Sequence, residues 1–557
     1  MIKKNKDELF FLPLGGVGEI GMNLALYGYG SRKKCRWIIV DVGITFPNNN
    51  FPGTDLVVPD IAFVLERIEQ LDGIIITHAH EDHYGALFTL WPKLRVPVHC
   101  TPFAAKMLEA KRLSELNAPN IPLKIFKTEE PFSIGSFTVE GVHVNHSIPE
   151  PVSLMIRSPL GNIIHTGDWK IDRKPTIGHL TNEAYFRCLG NEGILALVCD
   201  STNAMQEGIS ASEEEVLESL IDIIDHAPGR VIVTTFSSNV GRIRSVALAA
   251  EKVGRRVMII GRSLLRVVDV SRDLGYLDGV APFLDENEFQ SVPRKKLVVI
   301  CTGSQGESQA ALGKMARDDH RNARLVPGDQ VIFSSRSIPG NEKGILSIQN
   351  ALVDKGVTIV LDEEKLVHVS GHPRRDELSQ MYEWTRPTIG VPVHGEARHL
   401  MAHANLMEVI GIPNVAVVRN GDMLRLAPGP TKIIDKVVHG RAYKDGRLIG
   451  DQSSMGIDRR RILSCVGHVV MSLVVNKDGY LLAEPKIVCE GLPKIVDGED
   501  NFKDLLYDVA VSAFERIPLP KRRDHARIKQ VLRKALRNEV VEVWGKKSIV
   551  TIFVTTV

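Results

Sequence analysis

A short apolar strand, Gly-Ile-Ile-Ile-Thr at 73–77, runs straight into His78-Ala79-His80-Glu81-Asp82-His83. The chain must end a buried strand and begin a helix here while it crowds His78, His80, Asp82 and His83 into one short loop. Imidazole nitrogens and a carboxylate at this density suit Zn²⁺ or Mn²⁺. Two later groups match the pattern: His146 at the end of a strand, and Asp168 in His-Thr-Gly-Asp-Trp-Lys. Asp41, in Ile-Ile-Val-Asp-Val-Gly, is placed to orient a ligand from behind. A lone surface His-x-His is decorative, but a complete H-x-H-x-D-H with a downstream His and Gly-Asp is not.

Composition narrows the class. The 557 residues are 44% hydrophobic and 24% charged, as in soluble globular proteins, so disorder is not the main state. At about 150 residues per domain the length fits three or four domains. Lys+Arg is 69 against Asp+Glu 67, a formal net charge of +2. That excludes a highly basic nucleic-acid coat protein, but not an enzyme with a local basic channel. No apolar run approaches a membrane span, and the N-terminus lacks the apolar core and cleavage site of a signal peptide. The seven cysteines are odd in number, scattered and without Cys-x-x-Cys, so neither a disulfide framework nor a cysteine zinc site is expected. The expectation is a cytoplasmic protein without a membrane partner.

Residues 9–50 read as β-hairpins, 60–70 as a helix, 96–100 as a strand and 103–116 as a helix. The segments 136–147 and 153–168 alternate with period two and read as strands, as does the apolar 194–202. Near 210 the rhythm changes. Ser212 with Glu215 forms a capping box opening a helix over 213–226, and strands then alternate with helices, which implies a mostly parallel sheet. The stretches 419–432 and 440–454 read as connections. The last hundred residues hold strands, a helix near 500–516, a basic helix near 523–537 and a final strand.

One motif is rejected. Gly16-Val17-Gly18-Glu19-Ile20-Gly21 matches G-x-G-x-x-G, with Asp41 at about the right distance. A dinucleotide site needs a helix after the glycines, whose N-terminus meets the pyrophosphate. The alternating MNLALYGYG predicts a hairpin instead, with the glycines shaping a tight turn beneath a loop site.

The constellation His78, His80, Asp82, His83, His146 and Asp168 resembles the metallo-β-lactamase superfamily over about the first 205 residues. The resemblance implies an αββα sandwich in which His78, His80 and His146 bind one metal, Asp82 and His83 the second, and Asp168 both. Chemistry alone would also allow lactone, thioester or β-lactam hydrolysis. Three later motifs, Asp200 in LVCDST, His372 in HVSGHPRRDE and His394 in GVPVHGEARH, surround an inserted α/β block. They are similar to those of the β-CASP nucleases, and histidine at the last motif resembles the RNA-processing branch. By that resemblance His394 completes the second metal site, and His372 contacts the scissile phosphate and helps protonate the leaving oxygen. Asp82, His83, Asp200 and His372 form the catalytic set, and the nucleophile is a hydroxide activated by two metals. The implied architecture is α/β. A split hydrolase domain (1–205 and 362–440) carries an inserted β-CASP domain (206–361), followed by a linker (441–454) and a small α+β assembly domain (455–557).

The resemblance further implies single-stranded RNA as substrate, degraded 5′ to 3′ from 5′-monophosphate ends and also cut internally, in RNA maturation and decay. Zinc is the expected resident ion, two per subunit, with Mn²⁺ or Mg²⁺ able to sustain turnover. A terminal phosphate needs convergent donors. Ser370, Gly371 and His372 offer them, Ser237, Ser238 and Ser304 could add donors, and Phe236 could stack a base. Arg242 and Arg244 fit a solvated helix face as well as an RNA-channel wall, and Arg374 and Arg375 have no assigned role. The C-terminal domain is expected to support a homodimer or homotetramer, with other RNA-decay proteins as further partners. The competing readings are a β-CASP DNA-processing nuclease, a small-molecule lactonase or thioesterase, and a non-catalytic RNA scaffold. The large inserted block and the complete ligand set argue against the last two.

Overall fold

Strand Glu8–Gly15 is buried along nearly its whole length, so it must lie inside a sheet that is covered on both faces. The structure, a computed structural model, describes residues 7–32, 34–47, 50–115, 117–496 and 500–557. Residues 33, 48, 49 and 116, which fall within the hairpin and helix readings, lie outside that set. Glu8–Gly15 belongs to an eight-stranded sheet in the order Lys432–Lys436, Asp422–Ala427, Glu8–Gly15, Leu24–Gly30, Arg36–Val40, Leu71–Ile75, Val98–Cys100, Leu123–Ile125. A seven-stranded sheet runs Asn414–Val415, Ile389–Val393, Ile194–Asp200, Gly161–His165, Val152–Ser158, Phe137–His143, Phe132–Ile134.

The two sheets share one core. Phe11, Tyr27, Ile38 and Val40 from the first pack with Leu154, Ile156, Val198 and Val391 from the second. Each such side chain contributes roughly 1.5–3 kcal/mol on burial, so this layer outweighs any surface ion pair. On the outer face of the second sheet, Met155, Ile164 and Leu197 meet Phe186, Tyr382 and Met407 from helices Glu183–Asn191, Arg375–Thr385 and Ala397–Ile410. On the outer face of the first, Trp37 packs edge-on against Phe63, ring centroids 5.4 Å apart. The layers are therefore helix, sheet, sheet, helix.

The block after 210 is a five-stranded sheet, Arg256–Ile260, Leu297–Cys301, Val231–Thr234, Gln330–Phe333, Thr358–Val360, parallel throughout. Its entry helix, Glu213–His226, starts with the capping box read from sequence: Ser212 Oγ accepts from Glu215 N (3.2 Å), and Glu215 accepts from Ser212 N (2.7 Å). Thr234 is level with both Cys301 and Phe333. The loops that follow these strands therefore leave one sheet edge side by side.

The chain divides into two compact units. One comprises the residues up to Thr45 with Val57–Arg441; the other comprises Phe46–Leu56 with Ala442–Val557. In the second, helices Phe502–Glu515 and His525–Trp544 cover one face of the sheet Lys486–Glu490, His468–Val475, Ile549–Thr556, burying Leu506, Phe514, Leu532 and Leu536 against Met471, Leu473 and Ile552.

Several sequence readings change. The helix expected over 60–70 is a single turn, Ala62–Leu65, followed by a 3₁₀ turn, Ile68–Gln70. The stretch 419–432, read as a connection, contains strand Asp422–Ala427 paired antiparallel with Glu8–Gly15. Its Leu424 and Leu426 are buried, and only the partner strand reveals that alternation as structure. The polar run 440–454 holds the hairpin Arg441–Asp445 and Leu448–Gly450, with Tyr443 packed on Phe51 at 4.9 Å. Helix Ile457–Val466 has no counterpart in the sequence reading.

Arg242 is the sharpest correction. A solvated face and an RNA-channel wall both require exposure, and it is 0% exposed, because helix Val240–Lys252 is buried on most of its sides. Its guanidinium pairs with Glu213 (2.9 Å), donates to the Val367 carbonyl (2.7 Å) and reaches Ser334 Oγ. Arg244 is half-buried and donates to the carbonyls of Tyr276 and Asp278. Removing one partner of a buried ion pair leaves an uncompensated charge, which costs about 3–5 kcal/mol. Arg242→Met is therefore expected to lower the unfolding free energy by about that much. Adding Glu213→Leu should recover part of it, measured by urea denaturation of the single and double variants.

Candidate metal centre and active site

The site is built where strands of both sheets end on the same side. Strand Leu71–Ile75 delivers Thr77 and His78, and the short helix Glu81–Tyr84 that follows carries Asp82 and His83. His146 follows strand Phe137–His143, Asp168 follows Gly161–His165, Asp200 ends Ile194–Asp200, and His394 follows Ile389–Val393. The parallel register of the last three strands sets His165 level with Val198, and Asp200 level with Val393. That register brings three residues distant in sequence to one point.

Asp168 is the hub. Its carboxylate lies 3.0 Å from His394 Nδ1, 3.2 Å from His83 Nε2, 3.7 Å from His146 Nε2, 3.8 Å from His78 Nε2 and 3.9 Å from His372 Nδ1. Three sets of donors could each hold a metal ion: His78, His80, His146 and Asp168; Asp82, His83, Asp168 and His394; and Asp168, Asp200, His372 and His394. The third set overlaps the second. Its His372 Nδ1 is already bound to Asp200 at 2.7 Å, so the first two sets are the better candidates.

The donors fit a cation. His80 Nδ1 faces His78 Nε2 at 3.1 Å and His146 Nε2 at 3.0 Å, three ring nitrogens turned toward one another. His394 Nε2 is buried with no hydrogen-bond partner among the described residues and points at Asp82, 3.5 Å away. Such an arrangement of lone pairs and carboxylates needs positive charge at its centre.

Partners behind the site fix each tautomer. Asp41 accepts from Thr77 N (2.8 Å), from the Thr77 hydroxyl (2.9 Å) and from His83 Nδ1–H (2.7 Å). The Thr77 hydroxyl proton is thereby committed, so His78 Nδ1–H donates to Thr77 Oγ1 (3.0 Å). His146 Nδ1–H donates to the Gly371 carbonyl (2.7 Å). In His78 and His146 Nε2 is left as a lone pair facing the cluster, while His83 Nε2 faces the Asp168 carboxylate at 3.2 Å. Asp41 and His394 achieve this with left-handed backbone, φ 63° and 51°, a conformation costing about 1–3 kcal/mol for such residues.

Burial holds His78 and His146 well below the ordinary imidazole range, and brings His80 down to about 4. These three are therefore neutral, the form that ligates. For His83 and His394 burial acts in the same direction, but the surrounding carboxylates, Asp168 foremost, raise both. Burial would raise Asp168, yet His394, His83 and His372 hold it well below the usual carboxylate range. His372 is raised by Asp200 and Asp168 against its burial.

Of the residues singled out from sequence, the structure gathers His78, His80, Asp82, His83, His146, Asp168, Asp200, His372, His394, Asp41, Ser370 and Gly371 in this one region. Phe236, Ser237 and Ser238 follow strand Val231–Thr234, and Ser304, which is buried, follows Leu297–Cys301, in loops at the C-terminal edge of the parallel sheet. Arg375 pairs with Glu207 (3.1 Å), and Arg374 contributes its backbone N–H to Glu377 (2.9 Å). The rejected glycine motif is followed by strand Leu24–Gly30, as expected, and the Gly16 carbonyl accepts from His394 N.

Sequence reasoning missed four supporting residues. Asn23 Nδ2 lies 3.1 Å from the Asp82 carbonyl and 3.0 Å from His83 Nε2. Thr202 Oγ1 is 3.1 Å from the His394 carbonyl. Asn203 donates to Ser370 Oγ and the His372 carbonyl while accepting from Arg336. Glu377 gathers backbone donors from three segments. Asn23 closes the Gly-rich run and Thr202 and Asn203 follow Asp200, so their nearness to motifs was the available signal.

Two glycines are required by close approach. A Cβ on Gly43 would stand 1.7 Å from the Asp82 carbonyl, and one on Gly371 would stand 2.5 Å from His146 Nδ1. Gly371→Ala is therefore expected to displace His146 and lower the bound-metal content of the purified protein by at least half (roughly 10–100-fold in affinity), read by atomic absorption. Unchanged stoichiometry after dialysis would show that His146 is not held through this contact.

Comparison with known proteins gives the same picture. Four family models match: Beta-lactamase superfamily domain over 36–186, Ribonuclease J, beta-CASP domain over 228–352, Zn-dependent metallo-hydrolase RNA specificity domain over 356–417, and Ribonuclease J C-terminal domain over 455–557. The chain is 58% identical to Ribonuclease J of Sinorhizobium meliloti over 99% of this chain and 98% of that one. It is 33% identical to Ribonuclease J of Helicobacter pylori (96% and 78%) and 35% identical to that of Thermus thermophilus (85% and 83%). A solved protein of unknown function from Enterococcus faecalis shares the fold at TM-score 0.53 and 15% identity, over 75% of this chain and all of that one. Near full-length identity at this level, with the hydrolase, β-CASP and C-terminal models all matched, shows that the chain belongs to the ribonuclease J family of metallo-hydrolase ribonucleases.

Proposed function

We propose that this ribonuclease degrades single-stranded RNA 5′ to 3′ from 5′-monophosphate ends and also cuts internally, in RNA maturation and decay. The observation that carries the reading is the His372–Asp200 pair beside the donor cluster. It is a histidine with one nitrogen held by a buried carboxylate at 2.7 Å and a side chain still 20% exposed.

In this reading His78, His80, His146 and Asp168 hold one divalent ion, and Asp82, His83, Asp168 and His394 hold the other. Zinc is resident, and Mn²⁺ or Mg²⁺ sustains turnover. Such a pair of ions, when bound, supplies an acidified water as nucleophile and positive charge against the phosphate.

The rest is work of the chain's own residues. Asp41, through Thr77 and His83, keeps the imidazoles in the tautomers that face inward. Asp200 holds the proton on His372 Nδ1 and favours the imidazolium, so His372 Nε2–H is available to contact the scissile phosphate and protonate the leaving oxygen. Ser370 and the backbone at Gly371, two residues and one residue before His372, receive the terminal phosphate. Phe236 stacks a base, and Ser237, Ser238 and Ser304 line the RNA path at the edge of the parallel sheet. The functional division is 1–205 with 362–440 for hydrolysis, 206–361 for RNA, 441–454 as linker and 455–557 for assembly into a dimer or tetramer. Support for the last is the sheet face opposite the two helices, where Val488 and Phe553 are exposed.

The test is product analysis on one RNA carrying a 5′-monophosphate, 5′-triphosphate or 5′-hydroxyl end, labelled at either terminus, with Asp82→Ala as blank. Labelled mononucleotide should appear rapidly from the monophosphate form alone. Equal internal cutting of all three would mean an endonuclease without end sensing. His372→Ala should lower kcat by about 10²–10⁴-fold and leave metal content unchanged. Truncation at residue 454 should reduce the mass measured by light scattering to that of a smaller oligomer; an unchanged assembly would remove the role proposed for 455–557.

A further inference from the structure

Glu377 is buried, 1% exposed, and among the described residues no cation pairs with it. Its carboxylate instead collects four neutral donors. Oε1 accepts from Ile171 N (2.9 Å), and Oε2 accepts from Ser210 N (3.0 Å), Ser210 Oγ (2.8 Å) and Arg374 N (2.9 Å). Three of the four bonds crowd onto Oε2 and one reaches Oε1, so the carboxylate is held by neutral donors alone. A buried anion solvated this way is expensive to assemble and intolerant of change.

The donors come from three separate segments. Ile171 lies three residues past Asp168. Ser210 lies at the entrance to the inserted α/β block, and its hydroxyl also reaches the His372 carbonyl (3.5 Å). Arg374 caps helix Arg375–Thr385, two residues past His372. The other end of the His372 segment has its own buried anchor. The Val367 carbonyl accepts from Arg242 Nη1 (2.7 Å) and Ser334 Oγ (2.8 Å). Residues 367–374 are thus a short span fixed at both ends by buried charged groups, with Ser370, Gly371 and His372 between the anchors. The Gly371 carbonyl within that span holds His146 Nδ1, so the span's position also sets a histidine of the donor cluster.

We propose that Glu377 is a positioning residue for the reaction. Its carboxylate fixes the span 367–374 against the Asp168 loop, and so sets where His372 and His146 stand relative to Asp168. The inference rests on the reading of His372 as the residue that contacts the phosphate. Glutamine has the same shape, but one of its two terminal atoms is an NH₂: with its carbonyl oxygen turned to the three donors at the Oε2 position, that NH₂ opposes Ile171 N, so Glu377→Gln breaks the tie to the Asp168 loop without opening a cavity.

The experiment compares wild type, Glu377→Gln and His372→Ala in the metal-loaded protein, at a temperature where all three are fully folded. Backbone hydrogen–deuterium exchange, kcat and KM on a single-stranded RNA are measured. In Glu377→Gln, exchange should rise in peptides covering 168–171 and 366–374 and stay unchanged in strand Ile194–Asp200. kcat should fall roughly 10–100-fold with KM within about twofold. Unchanged exchange at 366–374 would overturn the proposal, and so would wild-type kcat despite faster exchange, since Glu377 would then only stabilise the fold. His372→Ala separates the two failures: if it keeps wild-type turnover, the phosphate-contact reading falls whatever Glu377→Gln does.

Discussion

The Asp168 carboxylate stands within 3.0–3.9 Å of nitrogens on five histidines, in a place almost sealed from water. An anion and this many imidazoles cannot be stored there cheaply. The two sheets supply the rigidity that makes it possible. Strand ends meeting across a shared apolar core fix where each side chain emerges, and the large buried area of that core offsets the strain at Asp41 and His394. Burial keeps the rings of His78, His80 and His146 neutral, the imidazoles hold Asp168 ionised, and the carboxylates raise His83 and His394.

Supporting groups matter as much as the donors. Asp41 never joins the donor sets, yet it determines which nitrogen faces inward on His83 directly and on His78 through Thr77. The Gly371 carbonyl does the same for His146. These contacts explain why positions far apart in the chain are interdependent: the Gly371 segment belongs to the second half of the hydrolase fold, and His146 to the first. The inserted α/β block enters the same network through Arg242 at Val367 and Arg336 at Asn203. Buried Arg242 and exposed Arg336 thus tie the element proposed to guide RNA to the span that carries His372.

Legibility from sequence followed the range of the forces involved. The capping box at Ser212 and Glu215, the hairpins of the N-terminal sheet and the alternation of strands and helices after 210 were readable because each is set by residues within a few positions. The strand Asp422–Ala427 was not, because its apolar residues are interrupted by polar ones that face a partner strand four hundred residues away. Arg242 was misread for the same reason. Its charge suggested solvent, and the groups that receive it, Glu213, Ser334 and Val367, come from three other elements.

By itself the sequence determined the chemistry on offer. A dense histidine–aspartate loop, a downstream His and Gly-Asp, and three later motifs specify residue types that have one common use, and their resemblance to a family supplied the layered fold. Only the tertiary structure decided the geometry. It made Asp168 the shared centre, gave the proton-holding role behind the site to Asp41, bound His372 to Asp200, and gathered Ile171, Ser210 and Arg374 onto Glu377. Those assignments depend on distances of a few ångströms between residues tens to hundreds apart, which strand register and sheet packing set and no local pattern encodes.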